Sequence, residues 1–348
     1  MPLDDWMSSL TRSKLGEGTV VLLGAGASRH LGLPLANELL QEMFAYANKK
    51  NWEPWGGIEG KKELYDFLAA IFPAFRGDTQ QEPGLEYFLT RIDVYQDFLA
   101  KTVIGKEDKM VKSRRRTLLQ ILVNYMWTRM TDGHEQLKES PYLPLLSALS
   151  SKDTILSLNW DVACEWAFKI CNRESDWSYV CQGSKIPLLK LHGSINWYPK
   201  QDNFKSDPGT LRMIGSDIGY FESSIMPGSS EEWRFVEDNV PVIVPPTQLK
   251  TLETDTLKRI WQYAYDRLLA CKRIIIVGSS LREEDQHLYA LFSLMFWNWG
   301  QHISDRSKIV FVVGPECVAS KFKRHVYPNC EILGDRFEDV RWSRELLD

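Results

Sequence analysis

A chain of 348 residues with 44% hydrophobic content can bury a large core, at a length where one core starts to give way to two lobes. Its formal net charge of −4 offers no general attraction to phosphate polymers, so direct nucleic-acid binding is not expected without a local basic patch. The six cysteines are scattered with no C-x-x-C pair, which argues against a zinc ribbon, leaves no metal expected, and favours free thiols in a reducing compartment.

The chain opens Met1-Pro2-Leu3-Asp4-Asp5, with acid where a secretory leader carries base, and no apolar run reaches the length of a membrane span. A soluble, cytoplasmic protein with no membrane contact is the expectation. Val20–Leu23 is the first strand-like run, and it passes directly into Gly24-Ala25-Gly26-Ala27-Ser28 ahead of a helix-like pattern. From about Ala36 to Leu149 helix-period segments dominate, among them Lys61–Phe72, Leu85–Lys101 and Lys112–Met130, with Trp52–Gly60 and Asp78–Gly84 read as loops. So long a stretch without a strand exceeds one βαβ crossover and is read as a helical module inserted after the first βα unit. The basic cluster Lys112-Ser113-Arg114-Arg115-Arg116 lies inside it, a pattern that most often marks a solvated helix face.

Beyond the module, strand-like runs recur at Thr154–Leu158, Pro187–Leu191, Pro241–Val244, Arg273–Val277 and Lys308–Val313. They are short, rich in β-branched residues and apolar without alternation, as strands covered on both faces must be. Lys200–Asn239, rich in Gly, Ser, Pro and acid, reads as a long excursion from the sheet. The fold class expected is α/β, a doubly wound, mostly parallel Rossmann-like sheet with an inserted helical module. Residues 1–35 and 150–348 are assigned to the sheet domain, 36–149 to the module, and 200–240 to the excursion.

In such a sheet the turn after the first strand lies at the carboxyl edge, where ligands bind, and glycine there lets backbone N–H groups approach a phosphate. Gly24, Ala25, Gly26, Ala27 and Ser28 are therefore candidates for a pyrophosphate cradle. The turn is not the full G-x-G-x-x-G, since Arg29 follows Ser28 and no acidic residue closes a second strand about twenty residues later. Three more strands end in small or hydrogen-bonding groups: Asn159 and Asp161 after Leu158, His192 and Gly193 after Leu191, and Gly278, Ser279 and Ser280 after Val277. Each also has a plain structural reading. Asn159 suits the N-cap of a helix from Asp161 to Ile170, Asp161 a first-turn acid, His192 a satisfied core histidine, and Gly278–Ser280 a simple turn. That four strands deliver such groups to one edge favours a shared site.

Taken in order, Gly24-Ala25-Gly26-Ala27-Ser28, Gly32-Leu33-Pro34, Leu158-Asn159-Trp160-Asp161, His192-Gly193 and Gly278-Ser279-Ser280 resemble the motifs of the sirtuin-type NAD-binding family. The resemblance runs from about residue 19 to 315 and leaves the helical module unmatched in detail. It implies that the glycine turn holds the pyrophosphate, that Asn159 and Asp161 lie by the nicotinamide ribose, that His192 acts as base, and that Gly278 and Ser279 contact ribose, with Ser280 beside them assigned to the NAD+ site. Two departures are informative. Lys200–Asn239 contains no cysteine, where protein-deacylating sirtuins carry a four-cysteine zinc module, and Leu35-Ala36-Asn37 stands in place of Asp-Phe-Arg. Together with Leu85-Glu86-Tyr87-Phe88-Leu89 and Gly278-Ser279-Ser280-Leu281-Arg282-Glu283-Glu284-Asp285, they make the chain similar to a bacterial sirtuin-like branch that hydrolyses NAD+ in anti-phage defence.

The reading that follows is an NAD+ hydrolase, with NAD+ as substrate and His192, Asn159 and Asp161 as catalytic residues. The alternatives are a regulatory module that binds NAD+ or ADP-ribose without turnover, a protein deacylase, and a nicotinamide-dependent oxidoreductase; the last lacks an acidic ribose clamp. An ungated NAD+ hydrolase would deplete its own cell. The short remainder after Gly314 leads to the expectation of control by self-association or by a separate protein, and the resemblance implies a ring-forming ATPase or helicase partner. The segment Leu288–Trp299 is apolar on nearly every face, which implies burial in the core or against another subunit.

Overall fold

β1 (Thr19–Leu23) is buried along its whole length, and everything else is arranged around it. The computed structural model describes residues 18–73, 75, 84–102, 106–200, 211–221, 241–244, 254–282, 285–301 and 309–348. β1 pairs in parallel with β2 (Thr154–Ser157) on one side and with β8 (Arg273–Val277) on the other. β3 (Trp177–Ser178) and β4 (Ile186–Lys190) extend the sheet beyond β2, while β9 (Ile309–Val313) and β10 (Glu331–Gly334) extend it beyond β8. The result is a seven-stranded, all-parallel sheet in the order β10-β9-β8-β1-β2-β4-β3. β2 and β4 are also buried throughout, as continuous apolar strands between two helical layers should be. This is the expected Rossmann-like α/β architecture.

The register brings Leu23, Ser157 and Val277 level, so the carboxyl ends of the three central strands form one rim. From β1 the chain runs to β2 on one side, and it later returns to β8 on the other. The two directions part at β1. Such a switch point leaves a crevice above the strand ends, because the connections on either side lead away from each other.

Between β1 and β2 the described residues form helices and no strand: α1 (Leu39–Lys49), α2 (Gly57–Ile71), α3 (Leu85–Thr102), α4 (Lys106–Asp132), α5 (His134–Leu137) and α6 (Tyr142–Ala148). Their buried positions follow helical spacing, as in Leu39, Leu40, Met43, Phe44 and Ala47 of α1 and Leu64, Phe67, Leu68 and Ile71 of α2, so each helix offers one apolar stripe to its neighbours. Phe44, Trp52, Tyr65, Phe75 and Phe88 make successive ring contacts that join α1, α2 and α3. The basic cluster serves these helices. Arg114 pairs with Glu63 of α2 at 2.6 Å and Arg115 with Asp93 of α3 at 2.7 Å.

After β2 come α7 (Ala163–Ile170), α8 (Asp255–Ala270), α9 (Gln286–Gln301), α10 (Glu316–His325) and α11 (Arg344–Leu347). α8 packs on β4 and α10 on β9. In α9, Leu288, Leu291, Phe292 and Met295 are buried while Leu294 is 55% exposed; one side of that apolar helix therefore belongs to the core. Among the described residues no helix is long and apolar enough to cross a membrane, and all six cysteines are free thiols.

Several expectations need correction. Pro241–Val244 is not a strand of the main sheet. Ile243 makes an isolated antiparallel bridge with Gly193, because the segment crosses the chain just after β4 instead of running beside a parallel neighbour. The described part of the excursion is regular, with β5 (Trp197–Pro199), β6 (Leu211–Met213) and β7 (Ile218–Phe221) forming an antiparallel sheet in the order β5-β7-β6. Trp52–Gly60 contains a 3-10 turn at Glu53–Trp55 and the start of α2; Gly56 and Gly57 read as loop residues, yet their positive φ angles form the tight entry to the helix. Most of Asp78–Gly84 lies outside the described residues, as does Lys308.

The amino ends of the central strands are tied down by the C-terminal segment. The carboxylate of Asp153 is fully buried; it accepts from the Thr19 and Ser150 N–H groups at 2.9 and 2.8 Å and pairs with Arg344. The Thr19 hydroxyl donates to the Leu347 carbonyl and Arg273 to that of Leu346. Removing the cation would leave a desolvated carboxylate short of one donor. Arg344→Ala is expected to cost about 1–3 kcal/mol of stability, read from chemical denaturation, without changing ligand binding at the opposite edge.

Candidate functional site

The turn after β1 and the turn after β8 interlock. The Gly24 N–H donates to the Val277 carbonyl at 2.9 Å and the Gly26 N–H to the Gly278 carbonyl at 2.8 Å. A Cβ at Gly24 would lie 2.7 Å from the Gly278 carbonyl oxygen, and one at Gly278, where φ is +63°, would lie 2.1 Å from the Ala27 nitrogen. Neither position admits a side chain. The glycines thus serve a backbone-to-backbone contact first, and the chain can then leave β1 in the 3-10 helix Ala25–Leu31 with its N-terminus toward the crevice.

A cavity of about 370 Å³ opens at this point, bounded by Gly24, Ala25, Gly26, Asn159, Trp160, Asp161, His192, Gly278, Ser279, Ser280, Arg282 and Asp285. That is a size typical of small-molecule sites. Leu33, Pro34, Leu35, Ala36, Leu39, Met126 and Leu288 supply its apolar boundary, so residues of α1 and α4 enclose it together with the sheet edge. Ala27 and Ser28 do not line the cavity, contrary to the cradle reading. They are buried behind it at 0% and 1% exposure, because the 3-10 helix turns them toward α6, where Ser28 Oγ meets the Tyr142 hydroxyl at 2.9 Å.

Asn159 is buried and does not cap α7, whose N-cap is Val162. Its amide nitrogen donates to the Gly24 carbonyl at 3.0 Å and to Ser28 Oγ at 3.3 Å, joining the end of β2 to the glycine turn. Asp161 takes the start of α7 in hand, with Oδ1 accepting from the Ala163 N–H at 3.0 Å. Asp161 thus bonds the start of α7 and also lines the cavity. Its main-chain carbonyl accepts from Lys190, a lysine buried to 1% at the end of β4 that also pairs with Glu165 at 3.1 Å. Glu165 accepts from the Tyr179 hydroxyl at 2.7 Å. Burial, with Glu165 close by, pushes the Tyr179 phenol well up, so it remains a donor.

His192 is 4% exposed, and its Nε2 lies 3.4 Å from Asp285 Oδ2. A carboxylate at that distance orients the imidazole and stabilises it when protonated. The ring sits 6.5 Å from that of Trp261, whose indole N–H donates to the Leu191 carbonyl at 2.9 Å. Gly193, at φ +72°, lets the crossing segment in: a Cβ there would lie 1.9 Å from the Val242 carbonyl oxygen. Beyond Gly278, Leu281 adopts φ +48° although it is not glycine, a strained conformation of the kind held at functional loops.

No family model matches the chain, and no curated protein matches it. What the site can do is therefore argued from its groups. His192, Asn159 and Asp161 share one cavity with Gly24, Ala25, Gly26, Gly278, Ser279 and Ser280. The sequence motifs included Asp285 and Leu33–Ala36 without giving them a place at the site, and Trp261, Lys190, Leu39, Met126 and Leu288 were not singled out for it. Lys190 carried a signal, a charge inside an otherwise apolar buried strand. Among the described residues no group of three or more metal-ligating side chains is arranged to hold a metal.

Gly278→Ala is expected to destabilise by about 2 kcal/mol or more through backbone overlap. Gly183→Ala, also at positive φ but with nothing within 4 Å, should cost only about 1 kcal/mol; thermal unfolding of the two variants compares them. His30, on the 3-10 helix, is half-buried against Ser140 at 2.6 Å, and burial holds its pKa below the ordinary value of 6.5 despite Glu338 nearby. A histidine depressed in the folded state stabilises above its unfolded pKa and loses that stability as pH falls. Unfolding followed from pH 7.5 to 5 should show a loss that His30→Gln reduces.

Proposed function

We propose that the protein is an NAD+ hydrolase that cleaves the nicotinamide–ribose bond to give nicotinamide and ADP-ribose. One observation carries this reading: an amide and a carboxylate from the end of β2 and an imidazole from the end of β4 line one cavity together with two glycine turns at the switch point of a parallel sheet. The Gly24, Gly26 and Gly278 N–H groups already donate to main-chain carbonyls, so a phosphate would be met by the start of the 3-10 helix at Ala25, which lines the cavity. The three polar groups suit a sugar with developing positive charge.

The chemistry asks little of an acid. Nicotinamide leaves as a neutral ring, taking the C1′–N electron pair, so no proton need be donated to it. The barrier lies in the oxocarbenium-like ribose, as in glycoside hydrolysis. Asp161 and Asp285 put negative potential beside that sugar, Asn159 orients the attacking water or the ribose hydroxyls, and His192 accepts the proton that the water loses on bonding to C1′. Asp285 stabilises the imidazolium that results, the part a third group plays beside any catalytic histidine.

The resemblance to the sirtuin-like branch supports an effector of anti-phage defence, acting in the cytoplasm and held in check by self-association or by a separate partner such as a ring-forming ATPase or helicase. A second reading is favoured by one observation. Asn159 and Asp161 already hold structural bonds, as they would in a module that binds NAD+ or ADP-ribose without turnover. Deacylation is the least supported, since the stretch after β5 has no zinc-binding cysteines.

Purified protein incubated with NAD+, alone and with its partner, should release nicotinamide and ADP-ribose in equal amounts, followed by chromatography. His192→Ala should lower the rate by about 10²–10⁴-fold while the protein stays folded, as read from its circular dichroism. Saturable ADP-ribose binding without nicotinamide release would favour the binding module, and the absence of both would sink the NAD+ reading.

A further inference from the structure

A buried chain of hydrogen bonds runs from α6 to the cavity wall. Tyr142 Oη lies 2.9 Å from Ser28 Oγ, and Ser28 Oγ lies 3.3 Å from the amide nitrogen of Asn159, which also reaches the Gly24 carbonyl at 3.0 Å. Tyr142 and Ser28 are 1% exposed and Asn159 7%. Chemistry fixes the direction. A main-chain carbonyl can only accept, so the amide must turn its nitrogen to Gly24. Its second hydrogen goes to Ser28, whose oxygen accepts, and Ser28 makes a further hydrogen bond with Tyr142 in which either hydroxyl can donate. Both N–H bonds are then committed away from the cavity, and Oδ1 is the part of the amide left to meet a ligand. Rotated by half a turn, the amide would press its oxygen against the Gly24 carbonyl, two buried acceptors without a hydrogen between them.

We infer that Tyr142 and Ser28 are positioning residues that hold the Asn159 carboxamide with its oxygen toward the cavity, making Asn159 a hydrogen-bond acceptor for the attacking water. The inference rests on the proposed NAD+ cleavage. A water that donates one hydrogen to Asn159 Oδ1 and the other to His192 keeps a lone pair for C1′. As the C1′–N bond breaks toward nicotinamide, the water oxygen bonds to C1′ and the proton shared with His192 moves onto the ring. Burial pushes the Tyr142 phenol well up, with Asp161 adding to the effect, so the hydroxyl at the start of the chain stays protonated. Tyr142 belongs to the helices between β1 and β2, and these helices thus reach the polar groups of the site through one hydroxyl pair.

The test combines kinetics with a readout independent of turnover. Ser28→Ala should lower kcat for nicotinamide release by about tenfold or more while ADP-ribose affinity stays within about twofold; Ser28→Thr should restore most of the rate. Tyr142→Phe, which keeps the ring and its packing, should give a smaller loss of the same kind. In protein labelled with ¹⁵N-asparagine, the Asn159 side-chain amide protons should be protected from exchange in the wild type and lose protection in both variants. Unchanged kcat in a folded Ser28→Ala protein, beside an active wild type, would overturn the relay and leave the hydrolase reading standing. A wild type that releases no nicotinamide would overturn the hydrolase reading, and a protected amide lost on substitution would still support the relay. Should Ser28→Ala fail to fold, Tyr142→Phe carries both measurements, and unaltered exchange in it would overturn the proposal.

Discussion

The contact on which the rest of the molecule depends is the approach of two bare backbones at the tips of β1 and β8. Hydrogen bonds from Gly24 to Val277 and from Gly26 to Gly278 continue the pairing of the strands past their ends, and only residues without a Cβ can come that close. Because β1 is also the strand from which the connections diverge, this contact sits at the floor of the crevice. The cavity is the space left above it.

Around that floor the polar groups are held from behind. Asn159 is tied to the glycine turn, Asp161 to the start of α7 and to Lys190, and His192 to Asp285. Each bond removes a rotational choice from a side chain at the rim, so the geometry is set before any ligand arrives, which is the condition for a site to work without reorganising. The buried Lys190–Glu165 pair is costly to desolvate, and its position beneath Asp161 shows where that cost is spent: on fixing a main-chain carbonyl at the cavity edge.

The parallel sheet was legible because its strands are apolar without alternation, and the rim residues were legible because polar groups at the ends of such strands stand out. The helices between β1 and β2 were visible in their 3.6-residue period. What escaped depends on contacts far apart in sequence. Pro241–Val244 has the composition of a strand, yet its place is decided by the gap that Gly193 opens beside it. Ser28 reads as part of a phosphate turn, and only the position of Tyr142 reveals that it points the other way. The short edge strands β3 and β10 carry too few apolar residues to show a pattern, and Asp285 acquires meaning only from the neighbour it finds across the fold.

The interruption of the sheet between β1 and β2 also sets the order of assembly. Asn159 meets Gly24 across 135 positions, and β8 supplies the other neighbour of β1 only after the greater part of the chain has been made. The helices of the interruption can close on themselves locally, whereas pairings so distant in sequence form late. During synthesis the crevice therefore lacks one of its two lips until Gly278 has left the ribosome, and an unfinished chain carries no formed pocket into the cell.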